Sequence, residues 1–128
     1  MPYYAPASTS TIKVNATAGE NLVAGDLTYL KSDGKYWKAS VSSSTTGTAK
    51  LLMANATISA NAVGQFIAYG TVPMVGLTAG SVYFMSTGGG ISTAAPTTQD
   101  YVIRPVGTAS STTTLEFDPS VSWATYKA

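Results

Sequence analysis

Leu22–Ala39, LVAGDLTYLKSDGKYWKA, decides the fold. Leu27 and Tyr29 alternate with polar neighbours, Tyr36 follows beyond Asp33-Gly34, and Asp and Gly tolerate the positive φ of a two-residue hairpin turn. The stretch therefore predicts two antiparallel strands and a tight turn. The unit also recurs: shifting the chain by 55 positions (77 minus 22) lays Leu77–Ala94, LTAGSVYFMSTGGGISTA, on it without a gap. Leu22, Ala24, Gly25, Gly34 and Ala39 then coincide with Leu77, Ala79, Gly80, Gly89 and Ala94, and apolar Leu27 and Tyr29 with Val82 and Phe84. The shared pattern is an LxAG corner, a strand, a glycine turn and a return strand, read as two similar hairpins in one domain.

Working outward, Thr11–Asn15 alternates as a first strand, and 18–21 turns the chain into the opening hairpin. The Ser/Thr block of SVSSSTTGTAK, which follows Ala39, reads as a surface loop, Leu51–Ala54 as a buried strand, and 59–64 as a short loop. Gln65–Val75 has a β pattern interrupted at Gly70 and Pro73; proline cannot donate to a ladder, so this strand should lie at an edge or carry a bulge. Gly88-Gly89-Gly90 forms a mobile or tightly bent turn, and Ser92–Gln99 a polar connection. Tyr101–Val106 and Thr113–Phe117 are the last strands, with Ser110-Ser111 as the turn between them. Short strands every eight to twelve residues, with no window of sustained helical spacing, predict an all-β small single-domain sandwich or barrel over 11–120. Residues 1–10, with two prolines and Tyr3-Tyr4, read as an extended N-terminal arm. Residues 121–128 form a tail whose Trp123 and Tyr126 either fold back as a lid or reach a neighbouring subunit.

The 128 residues suit one core rather than two. They are 45% hydrophobic and only 10% charged, which separates the chain from disordered compositions. So few charges point either to a neutral Ser/Thr-coated surface or to a surface covered in an assembly. With a net charge of +1 and lysines spread along the chain, there is no basic face for nucleic acid. The N-terminus lacks a secretory pattern, and no apolar run reaches the roughly 18 residues of a membrane span.

Cysteine and histidine are both absent. That removes the thiolate nucleophile, the disulfide, the commonest general base and the commonest metal ligand together. Acid/base chemistry would fall to Glu20, Asp26, Asp33, Asp100, Glu116 and Asp118. Of these, Asp26 and Asp33 suit strand-start and turn positions, and Glu116 should face away from Leu115 and Phe117. The glycine run opens no helix and so is no phosphate loop. No catalytic, cofactor-binding or metal-ligating residue is assigned, and the chain is read as not an enzyme. Tyr36 and Trp37 together would make a sugar-stacking platform, but adjacent strand residues point to opposite faces, which leaves one of them for a partner.

Taken together, AGDLTYLKSDGKYWKA (24–39), GLTAGSVYFMSTGGGISTAAPTT (76–98) and YVIRPVGTASSTTTLEFDPS (101–120) resemble the small β module of tailed-bacteriophage structural proteins: capsid decoration proteins, head fibres and some tail-fibre ends. The resemblance spans about 18–120 and rests on the order of features. It implies a structural homotrimer on the virion, made in the host cytoplasm and bound to the major capsid protein on the outer surface of the head. The lack of a collagen-like or coiled-coil shaft in the sequence favours a compact decoration, or cement, protein. The alternative it leaves is a fibre-tip module that binds a receptor or a host surface glycan. On this reading the capsid or subunit contacts are Pro2, Tyr3, Tyr4, Pro6, Trp123 and Tyr126, because exposed aromatic and proline side chains bury much area for little entropy.

Overall fold

A computed structural model describes residues 11–127. The strands are β1 (Ile12–Thr17), β2 (Leu27–Leu30), β3 (Tyr36–Lys38), β4 (Leu51–Ala54), β5 (Val63–Pro73), β6 (Val82–Met85), β7 (Ile91–Ser92), β8 (Val102–Ile103), β9 (Pro105–Ser111), β10 (Thr114–Phe117) and β11 (Ala124–Thr125). One helical turn, α1 (Ser44–Gly47), interrupts them. The chain is all β and forms one small domain, as the alternation predicts. Its main sheet runs β3-β2-β4-β5-β10-β9-β6-β7, with β1 also on β5, and curls into an antiparallel half-barrel.

Both hairpins form where the sequence places them, though the first turns through Ser32-Asp33-Gly34 rather than two residues: the Lys31 amide donates to the Lys35 carbonyl and the Gly34 amide to the Lys31 carbonyl (both 2.9 Å), and Gly34 but not Asp33 has positive φ. Their pairing repeats as well as their residues. Tyr29 faces Trp37 and Leu30 faces Tyr36 in the first; Phe84 faces Ser92 and Met85 faces Ile91 in the second. Each partner is displaced by 55 (84 minus 29, 92 minus 37). The same displacement carries Leu27↔Met53 and Thr28↔Leu52 onto Val82↔Thr108 and Tyr83↔Gly107. Gly34 and its counterpart Gly89 share φ near +80° (82° and 81°), a backbone region that strongly favours glycine. The three-glycine turn is thus tightly bent, with the Gly90 amide on the Thr87 carbonyl and the Ser86 amide on the Gly90 carbonyl (both 3.0 Å).

The two hairpins also meet. The Leu27 amide donates to the Gly89 carbonyl (2.9 Å), the Gly89 amide to the Ala39 carbonyl (2.8 Å), and the Val41 amide to the Ser86 carbonyl (3.1 Å). These bonds join the turn at one end of the curled sheet to the strand at the other. Backbone groups that an open rim would leave to water are satisfied within the fold.

Strand alternation feeds two cores. Leu27, Tyr29, Leu51, Met53 and Ile67 face the inside of the curl, where they meet Tyr83, Met85, Val106, Leu115 and Phe117. Leu52, Ala54, Phe66 and Tyr36 face the other way, against Ala18, Leu22 and Ile58 of the connecting segments. β4 is therefore buried on both faces, which is why LLMA reads as an unbroken apolar run.

Several expectations need correction. Of the edge or bulge expected for β5 the bulge is what forms, and the strand is the spine of the sheet: β1 and β4 flank its first half and β10 pairs with its second. It does carry a bulge, since Ile12 opposes Tyr69 while Lys13 opposes Ile67, leaving Ala68 unmatched. The extra residue swaps the parity, so Ile67 and Val72 both fall on the inner core while Tyr69 turns outward. Pro73 is tolerated as the strand's last residue. The segment 40–50 is not wholly a surface loop: Val41 is buried and α1 forms behind the cap in which Ser43 Oγ accepts from the Thr45 amide (3.2 Å). The final hairpin turns at Thr112-Thr113 rather than Ser110-Ser111, because β9 carries an unmatched Ser110 and runs two residues further. Tyr101–Val106 is broken at Arg104 into β8 and β9. The tail, expected to lack a strand, contributes β11, which pairs antiparallel with β8.

Candidate functional site

Of the expected contact residues, Pro2, Tyr3, Tyr4 and Pro6 lie outside the described residues. Trp123 and Tyr126 flank β11, which pairs with β8. The Tyr126 amide donates to the Tyr101 carbonyl (2.8 Å) and its carbonyl accepts from the Asp100 amide (2.9 Å). Lys127 adds an ion pair with Asp100, which holds that carboxyl below its ordinary value. The tail thus folds back on the domain, while the Trp123 indole stays half exposed.

Beneath that indole sits Arg104, only 5% exposed. Its guanidinium stacks on Trp123, carbon to ring centre 5.2 Å. Nε donates to the Ser120 carbonyl (2.8 Å), and Nη1 to the carbonyls of Gly47 (3.1 Å) and Ala49 (2.8 Å). One side chain therefore ties the end of α1, the segment leading into β4 and Ser120, just before the tail, to the junction of β8 and β9. Burial pushes its pKa down, and no carboxylate is paired with it among the described residues. A cleft of about 340 Å³ opens beside it, lined by Thr48, Lys50, Leu51, Pro119, Val121 and Trp123 among others. Sequence reasoning missed Arg104 and Lys50. The available signal was a lone arginine inside an apolar strand, since a charge buried there needs polar partners.

The Tyr36-Trp37 pair divides as adjacency predicts. Tyr36 is buried against Phe66, ring centres 5.3 Å apart, and burial raises its pKa. Trp37 is half-buried but occupied: Lys31 Nζ lies 4.4 Å from its ring, Asp33 accepts from its Nε1 (3.1 Å), and the ring covers Gly19 so closely that a Cβ there would sit 2.1 Å from it. It is a poor platform for a sugar.

The acids mostly serve the backbone and each other's neighbours. Glu20 accepts from the Lys38 amide, Asp26 from the Val23 amide, and Asp33 from the Lys35 amide (each 2.9 Å). The last bond is the main reason the Asp33 carboxyl is held below its ordinary value. Glu116, exposed between buried Leu115 and Phe117 as expected, accepts from the hydroxyls of Thr71 (3.3 Å) and Ser110 (3.1 Å). It lines a cleft of about 300 Å³ with Asp118, Tyr69 and Val82. Among the described residues no three acidic side chains cluster as metal ligands would, and no helix is long and apolar enough to cross a membrane.

No family model matches the chain, and no curated protein is significantly similar to it.

Proposed function

We propose that the chain is a structural virion protein that decorates the outer surface of a tailed-phage head and stabilises it. The observation that carries this reading is the exterior. Val121, Val75 and Val63 are 87%, 83% and 69% exposed, and Ile12, Val23, Tyr69, Val82 and Trp123 stand about half in solvent. They do so on a chain with only seven basic and six acidic side chains. Apolar side chains on a charge-poor surface support a reading in which a partner covers part of it. The partner proposed is the major capsid protein, and the covering unit a homotrimer made in the host cytoplasm and carried on the capsid. The arm residues Pro2, Tyr3, Tyr4 and Pro6, with Trp123 and Tyr126, are proposed as capsid or subunit contacts. The role assigns no catalytic residue, cofactor, nucleic acid or membrane. At about 25 cal/mol per Å² of apolar area, modest contacts repeated over a lattice add up to substantial stabilisation of the shell. Purified chain added to heads that lack it should bind and raise their disruption temperature; no binding and no shift would contradict the proposal.

A second reading, a module that binds a host surface glycan, is favoured by one observation: the half-exposed Trp123 beside the Arg104 cleft.

A further inference from the structure

We propose that the cleft between Trp123, Arg104 and Lys50 binds a carboxylated sugar, such as a uronic acid residue of an acidic polysaccharide. The inference rests on the glycan-binding reading and not on the capsid one.

Three observations lead to it. First, the buried guanidinium has unused donors. Nε and Nη1 are taken by three carbonyls, whereas Nη2 has no partner among the described residues. Nor is Nη2 sealed in, because no enclosed side-chain nitrogen or oxygen among them lacks a partner. Arg104 is among the residues that line the cleft, and on the proposal its two Nη2 protons are the donors that meet the ligand. Second, among the described residues the charge is uncompensated. Lys50 lines the same cleft and is in no ion pair among those residues, whose ion pair lies elsewhere, at Lys127–Asp100, and no acidic side chain among them lines the walls. A buried guanidinium that shares a cleft with a second cationic residue suits an anion, and a carboxylate bonded to it makes a charge-assisted pair stronger than a neutral bond. Third, the remaining walls are apolar: Leu51, Pro119, Val121 and the Trp123 indole. Three fixed carbonyls hold the guanidinium in place before any ligand arrives, which lowers the ordering cost of binding.

These walls select the ligand. Two Nη2 protons match the two oxygens of a carboxylate, and the two cationic residues favour its negative charge. A half-exposed indole with proline and valine beside it suits the flat C–H face of a pyranose. The volume, about 340 Å³, lies at the small end of ligand sites, which run roughly from 300 to 1,000 Å³.

The test is NMR titration of the whole chain with methyl β-D-glucuronide, with methyl β-D-glucoside as the neutral sugar and acetate as the bare carboxylate. The glucuronide should shift the Trp123 indole N–H and bind at least tenfold more tightly than either control. Arg104 also holds three carbonyls, so replacing it disturbs the fold; Lys50→Glu and Trp123→Ala leave that network intact, and each should weaken glucuronide binding at least tenfold. If the glucoside binds as tightly as the glucuronide, the glycan reading stands and the carboxylate site is wrong. Acetate binding as tightly as the glucuronide overturns the sugar part of the proposal. Both fail if no sugar binds, and the location fails if neither variant weakens binding.

Discussion

The Gly89 carbonyl accepts the Leu27 amide at 2.9 Å, so the turn of the second hairpin is bonded to the first strand of the first. Two stretches that match each other in sequence therefore hold each other in space. At Gly89 the φ of +81° excludes an easy side chain, and an added Cβ would sit 3.3 Å from Lys38 Cγ and 3.4 Å from the Leu27 carbonyl. Gly89→Ala should destabilise the domain by more than the about 1–2 kcal/mol of a left-handed residue alone. Gly34→Ala, with the same φ but nothing within 4 Å, should show only that backbone term. Urea unfolding compares them, and equal losses would deny the seam its role.

Phe66 anchors the second core, fully buried and packed against Tyr36 with the rings tilted by 40°. Phe66→Ala should cost about 3–5 kcal/mol, as large-to-small changes in closed cores do. A loss below about 1 kcal/mol in the same unfolding experiment would mean that the outer layer over β4 and β5 is loosely packed.

Acid should loosen the C-terminal tail. The Lys127 ammonium holds the Asp100 carboxyl below its ordinary 3.8, so the pair stabilises the folded tail above that pH and is lost as pH falls through the lower, folded value. Both partners are about two-thirds exposed, so the effect is modest and screened by 1 M salt. Backbone relaxation of 124–127 should show increased motion below about pH 3.8, and Lys127→Ala should produce it at pH 7. A tail equally ordered in all three conditions would show that β11 pairing alone holds it.

The first hairpin was legible because its signals are local: alternation, an Asp-Gly turn and an LxAG corner. Leu51–Ala54 was legible because burial on both faces leaves no polar alternation. The interior position of β5 was not, since Pro73 and Gly70 speak of local geometry while two of its three partners, β1 and β10, come from 40 or more positions away in the chain. β11 escaped for the same reason: two residues carry no period, and their pairing with β8 is a tertiary fact. Trp123 and Tyr126 stood out as aromatics in a tail, but the arginine beneath Trp123 did not, because nothing local says which donors a buried guanidinium will find.

Removing 1–10 should leave the fold unchanged and reduce occupancy on heads, since the proposed clamp includes Pro2, Tyr3, Tyr4 and Pro6. Unfolding curves and a particle-binding assay check the two halves separately. Undiminished occupancy would reject the arm as a clamp.

The homotrimer has its own check. Sedimentation at micromolar concentration should give a trimer, and a monomer at both low and high salt would reject a preformed one.

The most direct measurement is an electron cryomicroscopy image of the virion that carries this chain, with and without it. The proposal predicts extra density in threefold-related copies on the outer face of the head, bridging neighbouring capsid subunits. Density confined to a fibre or tail tip, with a bare head surface, would contradict it.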